Sequence, residues 1–136
     1  MAIGIHILGE LYGVDHRTLS RVENLEPLLL KILRDHDFNI LTSSFHQFHP
    51  FGVTGFVLLT ESHVSVHTWP EESYIALDIF SCSSEEQALR AFEAICKELA
   101  PAEVDRKIID RGISWRSLGV FSSPSYEAVS EAYGTS

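Results

Sequence analysis

Basic residues are few and never clustered: ten lysines and arginines stand against nineteen acidic residues, for a formal charge of −9. A phosphate backbone or an anionic membrane surface needs a basic patch, so nucleic acid and membrane are excluded as partners and a neutral or cationic small molecule is favoured. Cysteine is scarce too. Cys82 and Cys96 are the only two, and neither has a second cysteine at metal-binding spacing, which excludes a disulfide framework and a zinc signature. Long apolar runs are also missing. No stretch approaches the ~20 residues that cross a bilayer, and the first fifteen residues lack the basic-then-apolar order of a signal peptide. The expectation is a cytoplasmic protein.

What remains is ordinary globular material, 45% apolar and 21% charged over 136 residues, enough for one core and short for two. Residues 1–116 are expected to form that single domain. Residues 117–136, with Ser-Ser-Pro-Ser and a small polar end, read as a loosely ordered tail. No internal repeat or low-complexity block is present.

Residues 3–12 read as a strand ended by Gly13. Asp15 can cap a short helical turn reaching Val22, and Asn24 a longer helix to about His36, with Pro27 in its first turn and Leu28, Leu29, Ile32 and Leu33 as its apolar stripe. Residues 39–48 and 53–60 are strands by composition, turned at Pro50 and Gly52. Two alternating strands follow, 64–69 and 74–82. Ser83-Ser84-Glu85-Glu86 is a capping-box pattern ahead of a helix that packs Leu89, Phe92, Ile95, Cys96 and Leu99, and residues 104–110 make a last strand. That order predicts an α+β fold, a mostly antiparallel sheet with two helices on one face. The other face is left for a second copy to cover, which gives a homodimer.

Residues 60–73, Thr-Glu-Ser-His-Val-Ser-Val-His-Thr-Trp-Pro-Glu-Glu-Ser, put histidines, hydroxyls and carboxylates into the middle of that sheet. The strand period sets His63, Ser65 and His67 on one side. A metal site is not expected, because histidines four residues apart on a strand stand about 13 Å apart; His46 and His49 flank a turn and read as surface groups. A serine hydrolase lacks its Gly-x-Ser-x-Gly elbow. Composition alone reads the stretch as a hairpin whose serines and histidines cap the turn.

The run Glu61-Ser62-His63-Val64-Ser65-Val66-His67-Thr68-Trp69-Pro70-Glu71, followed by Asp78-Ile79-Phe80-Ser81-Cys82, resembles the signature of the prokaryotic S-adenosylmethionine decarboxylases. Gly4-Ile5-His6-Ile7-Leu8-Gly9-Glu10, Thr42-Ser43-Ser44-Phe45-His46-Gln47-Phe48 and Pro50-Phe51-Gly52-Val53-Thr54-Gly55 agree with the family in the same order. The resemblance implies a chain that cleaves itself between Glu61 and Ser62 and turns Ser62 into a pyruvoyl cofactor. In it His67 is the processing base, Thr54 stands where the family has a serine that steadies the cyclic intermediate, and Cys82 is the proton donor. The pyruvoyl ketone forms a Schiff base with the substrate amine and acts as electron sink. Phe48 is implied to stack on adenine and Glu71 to bind the ribose. The implied product carries aminopropyl groups for spermidine synthesis. The implied assembly is a four-layer αββα dimer, its active sites between the sheets.

After Trp-Pro-Glu the family usually continues Tyr-Gly-Tyr-Ala, whereas this chain has Glu72-Ser73-Tyr74-Ile75, and Ser83 replaces a glycine. A second carboxylate at Glu72 suits a guanidinium or ammonium, so a pyruvoyl-dependent arginine or ornithine decarboxylase is the rival reading. A non-cleaving, non-catalytic partner subunit is the rival from another class.

Overall fold

Alternating apolar residues build six strands, and two apolar stripes of helical period cover one side of them. The computed structural model describes residues 2–113; the expected tail and the domain boundary at 116 lie outside them. In chain order the elements are β1 (Ala2–Tyr12), α1 (His16–Ser20), α2 (Val22–Asp35), β2 (Ile40–Gln47), β3 (Val53–Leu59), β4 (Ser62–Trp69), a 3-10 turn at Pro70–Glu72, β5 (Tyr74–Ser81), α3 (Glu85–Leu99) and β6 (Glu103–Ile113). They form one antiparallel sheet in the order β2-β3-β4-β5-β1-β6. The α+β class and the strand and helix order are as expected, with the short turn after Asp15 counting as a third helix.

Helix α2 begins two residues before the expected Asn24 cap. Arg21 precedes it, and its carbonyl accepts from the N–H groups of Asn24 and Leu25. Asn24 is therefore inside the helix. Its amide donates to the Arg17 carbonyl at 2.9 Å and ties α2 to α1, while Pro27 sits in the second turn. At α3 a serine does cap the helix, one residue later than the Ser83…Glu86 box: Ser84 Oγ accepts from the Gln87 N–H at 3.1 Å, and the Gln87 amide donates to the His36 carbonyl instead of closing the box.

The covered face packs Ile5, Ile7 and Leu11 of β1, Val57 of β3, Val64 and Val66 of β4, and Ile75, Leu77 and Ile79 of β5 against Leu25, Leu29 and Leu33 of α2 and Ala88, Phe92 and Ile95 of α3. The opposite face carries His6, Glu10, Thr54, Phe56, Ser65, His67, Trp69 and Asp78, and among the described residues no second layer covers it. Phe56, Leu58 and Trp69 are each more than 40% exposed there. That is apolar area a single soluble layer does not normally leave in water.

Candidate active site

The β3–β4 hairpin turns through Thr60 and Glu61 alone. Its tip is pinned to the segment entering β2: the Thr60 N–H donates to the Asn39 carbonyl at 3.1 Å, and the Asn39 amide donates to Thr60 Oγ1 at 2.7 Å. The Glu61–Ser62 peptide leaves this tip with its carbonyl aimed at the end of β5. Cys82 meets it there with two donors. The Cys82 N–H lies 3.0 Å from the Glu61 oxygen, and Sγ lies 2.9 Å from it. Cys82 itself is held at a tight corner, where Ser81 Oγ takes the Ser83 N–H at 3.3 Å and contacts Ser83 Oγ at 3.2 Å. Ser62 is 8% exposed and faces the helix side with Val64 and Val66. Its hydroxyl is thus shielded from bulk water beside a carbonyl already polarised by two donors.

At the other end of β4 a second group assembles. Thr54 on β3 pairs with His67 on β4, and Thr54 Oγ1 and His67 Nδ1 are 3.1 Å apart. A cleft of about 260 Å³ opens beside them, lined by Phe48, Thr54, His67, Trp69 and Glu71 among others. Phe48, His67, Thr54 and Glu71 are thereby brought together; Glu72, in the same 3-10 turn, is not part of that lining. Ser73, which closes this turn, takes the left-handed conformation at φ +51°.

Two features here were not read from the sequence. Gln47 holds the Phe48 loop: its amide nitrogen lies 2.8 Å from the Ser20 carbonyl and 3.0 Å from that of Gly52, and its oxygen accepts from the Val22 N–H at 2.8 Å. Nothing in a lone glutamine at a strand end announces this. The second is an aromatic ladder in which Tyr74 stacks on Trp69 and on Tyr12, each at 5.3 Å. The Tyr74 hydroxyl donates to Glu10 at 2.7 Å, and burial together with that carboxylate pushes its pKa above the ordinary tyrosine range. Alternation along β1, β4 and β5 put these rings on one face, and only the pairing Tyr12↔Tyr74 and Trp69↔Tyr74 shows them in line.

The two groups are not one site within the chain. Ser62 and His67 are five residues apart on one strand, about 16 Å at ~3.3 Å per residue, which is farther than an imidazole reaches. Among the described residues no three of His, Cys, Asp and Glu gather as a metal site. No helix there is long and apolar enough to cross a membrane.

A family model described as S-adenosylmethionine decarboxylase matches residues 5–112. An S-adenosylmethionine decarboxylase proenzyme of Sulfurihydrogenibium sp. (strain YO3AOP1) is 45% identical over 111 residues, 82% of this chain and 84% of that protein. The proenzyme of Archaeoglobus fulgidus is 37% identical over 82% of this chain and 100% of its own length. The crystal structure of the adenosylmethionine decarboxylase from Aquifex aeolicus VF5 superposes with a TM-score of 0.79 at 38% identity, covering 82% of this chain and 92% of that one.

Proposed function

The chain belongs to the S-adenosylmethionine decarboxylase family, and from that membership we propose that it is a proenzyme that cuts itself between Glu61 and Ser62 and then decarboxylates S-adenosylmethionine. The observation that carries this reading is the Glu61 carbonyl held by both donors of Cys82. Attack by the Ser62 hydroxyl on that carbonyl puts negative charge on its oxygen, where the Cys82 N–H and Sγ–H already point. Acyl transfer leaves an ester on the former serine oxygen. Loss of the residue-62 α-proton to an imidazole then releases Glu61 as a carboxylate and parts the chain. His67 is that base, with Thr54 holding its Nδ1.

A pyruvoyl group made from Ser62 would supply an electrophilic carbonyl for the substrate amine and an electron sink for the loss of carbon dioxide. The residues present fit such a group, since residue 62 is one bond from the carbonyl that Cys82 Sγ touches. That contact supports Cys82 as the residue that returns a proton to the substrate carbon. In the cleft beyond, Phe48 offers a half-exposed ring for a base and Glu71 a carboxylate for sugar hydroxyls or the sulfonium. Glu72 is not among the residues that line the cleft in the single chain.

In this reading the base comes from a second copy, which the ~16 Å between Ser62 and His67 along one strand supports. A half-turn about an axis lying in the plane between two face-to-face sheets and crossing β4 at Ser65 sets His67 and Thr54 of each copy over Ser62 and Cys82 of the other. The same packing buries Phe56, Leu58 and Trp69 and makes the four-layer αββα dimer. Both sites are then shared between the copies.

Intact mass under denaturing conditions tests the reading. Two fragments dividing at Glu61–Ser62, the larger lighter than encoded by one ammonia, are expected. A single full-length mass refutes self-processing. Carbon dioxide release measured in parallel from S-adenosylmethionine, arginine and ornithine then names the substrate, and release from the amino acids alone overturns the S-adenosylmethionine assignment.

A further inference from the structure

Cleavage creates a mechanical problem at the start of β4. In the precursor Ser62 is tethered through Glu61 to β3. Once that bond is gone, residue 62 is the first residue of a chain, and free strand ends fray. On the β3 side the last rung is Leu58↔His63, so residue 62 itself keeps only its rung to Ser81 on β5. Its position against Cys82 then depends on how firmly residue 63 is held.

His63 is held by Phe80. The two residues are directly opposed on β4 and β5, and their rings stack at 5.6 Å with 27° between planes. From the far side, where β1 and β6 lie, the Arg111 guanidinium comes within 5.5 Å of the Phe80 ring centre, and His6 meets the ring edge-on at 6.0 Å. Arg111 is two strands away from Phe80 and gets there across Gly4, its partner on β1. A Cβ at Gly4 would stand 3.2 Å from Phe80 Cζ and 3.0 Å from the Ser81 carbonyl. The glycine is what lets ring and guanidinium approach. Arg111 is fixed in turn by its Nη1, 3.2 Å from His6 Nδ1.

We propose that Phe80 is a positioning residue for the chain end that self-cleavage creates: with Arg111 bracing it, its ring holds His63 and so keeps residue 62 against Cys82 after the Glu61–Ser62 bond is gone. The inference rests on the self-cleavage reading above. It assigns the grip to the cut chain alone, because in the precursor the hairpin already does that work.

The test compares His63→Ala, His63→Phe and Phe80→Leu with wild type. His63→Ala is expected to cleave itself at close to the wild-type rate and then to lose kcat by about tenfold to a hundredfold with little change in KM, as for an ångström-scale misplacement of a reacting group. Amide hydrogen exchange at residues 63–65 is expected to quicken in cleaved His63→Ala and to stay slow in the uncleavable Ser62→Ala, His63→Ala double variant. His63→Phe, which keeps a flat ring, restores both readouts, and Phe80→Leu behaves as His63→Ala does. Wild-type kcat and exchange in cleaved His63→Ala overturn the proposal. Equal loosening in the uncleavable double variant also overturns it, since the stack would then be ordinary sheet packing. Absence of cut chain in wild type refutes the self-cleavage reading as well, which the wild-type mass alone reveals.

Discussion

Cys82 meets the Glu61 carbonyl through two atoms of different fate under mutation. Its N–H survives any substitution, whereas Sγ is removed in Cys82→Ala. Loss of one of two donors to a developing oxyanion lowers such rates by about a hundredfold. A time course of full-length chain on a denaturing gel is therefore expected to show slow but real cleavage in Cys82→Ala, and a smaller defect in Cys82→Ser, which keeps a donor. His6 makes a different prediction. Burial holds its pKa below the ordinary 6.5, outweighing the Asp78 carboxylate 3.9 Å away, while Arg111 and His63 push in the same direction as burial. The unfolded chain takes up this proton first, so stability falls as pH drops below 6.5 toward the folded value and levels off beneath it. Urea unfolding of the uncleavable Ser62→Ala protein at about pH 7.5 and about pH 5 should show this loss, and His6→Gln should shrink it.

Among the elements, α3 and β1 meet most closely where Phe92 lies over Gly9. Phe92 is 2% exposed, and a Cβ on Gly9 would come within 2.5 Å of its Cε2 and 2.8 Å of its Cζ. The ring cannot give way into a filled core, so Gly9→Ala is expected to destabilise the fold by about 1–3 kcal/mol, read from the shift in urea midpoint. The site elements are held by backbone and amide bonds instead. The Gly52 N–H donates to the Ser20 carbonyl at 3.0 Å, and the Phe48 N–H to the Gly52 carbonyl at 2.8 Å. With Gln47, these fasten the Phe48 loop to the end of α1. A cleft on such a loop is preorganised by α1, which carries no catalytic group.

At the scale of the molecule, the separation of Ser62 from His67 is the decisive fact. Precursors carrying Ser62→Ala or His67→Ala are each expected to stay uncut, or nearly so, when expressed alone. Co-expressed, they form a mixed dimer in which one site has Ser62 from the His67→Ala chain and His67 from the Ser62→Ala chain. The expectation is cleavage of the His67→Ala chain only, followed by mass spectrometry of differently tagged copies. No cleavage in a mixed dimer that forms would mean each chain completes its own site. The open face has the composition for such an assembly, with large apolar groups beside Glu10, Asp78 and His6 in place of a uniformly polar surface.

The residue pattern by itself determined the α+β class, the order of strands and helices, and the covered and open faces. These are local properties: period two or 3.6, a proline or glycine at a turn, a serine at a cap. Motif resemblance named Ser62, His67, Cys82, Thr54, Phe48 and Glu71 together, because a motif records which residues act and not where each stands. The start of α2 lies ahead of Asn24, a good cap by type, because the helix already begins after Arg21, whose carbonyl accepts from the Asn24 and Leu25 N–H groups. Tertiary structure alone decided that Cys82 faces the Glu61 carbonyl and that His67 stands beyond reach of Ser62. Those facts follow from strand register and from about 3.3 Å of rise per residue, which place neighbours in a motif at opposite ends of one strand.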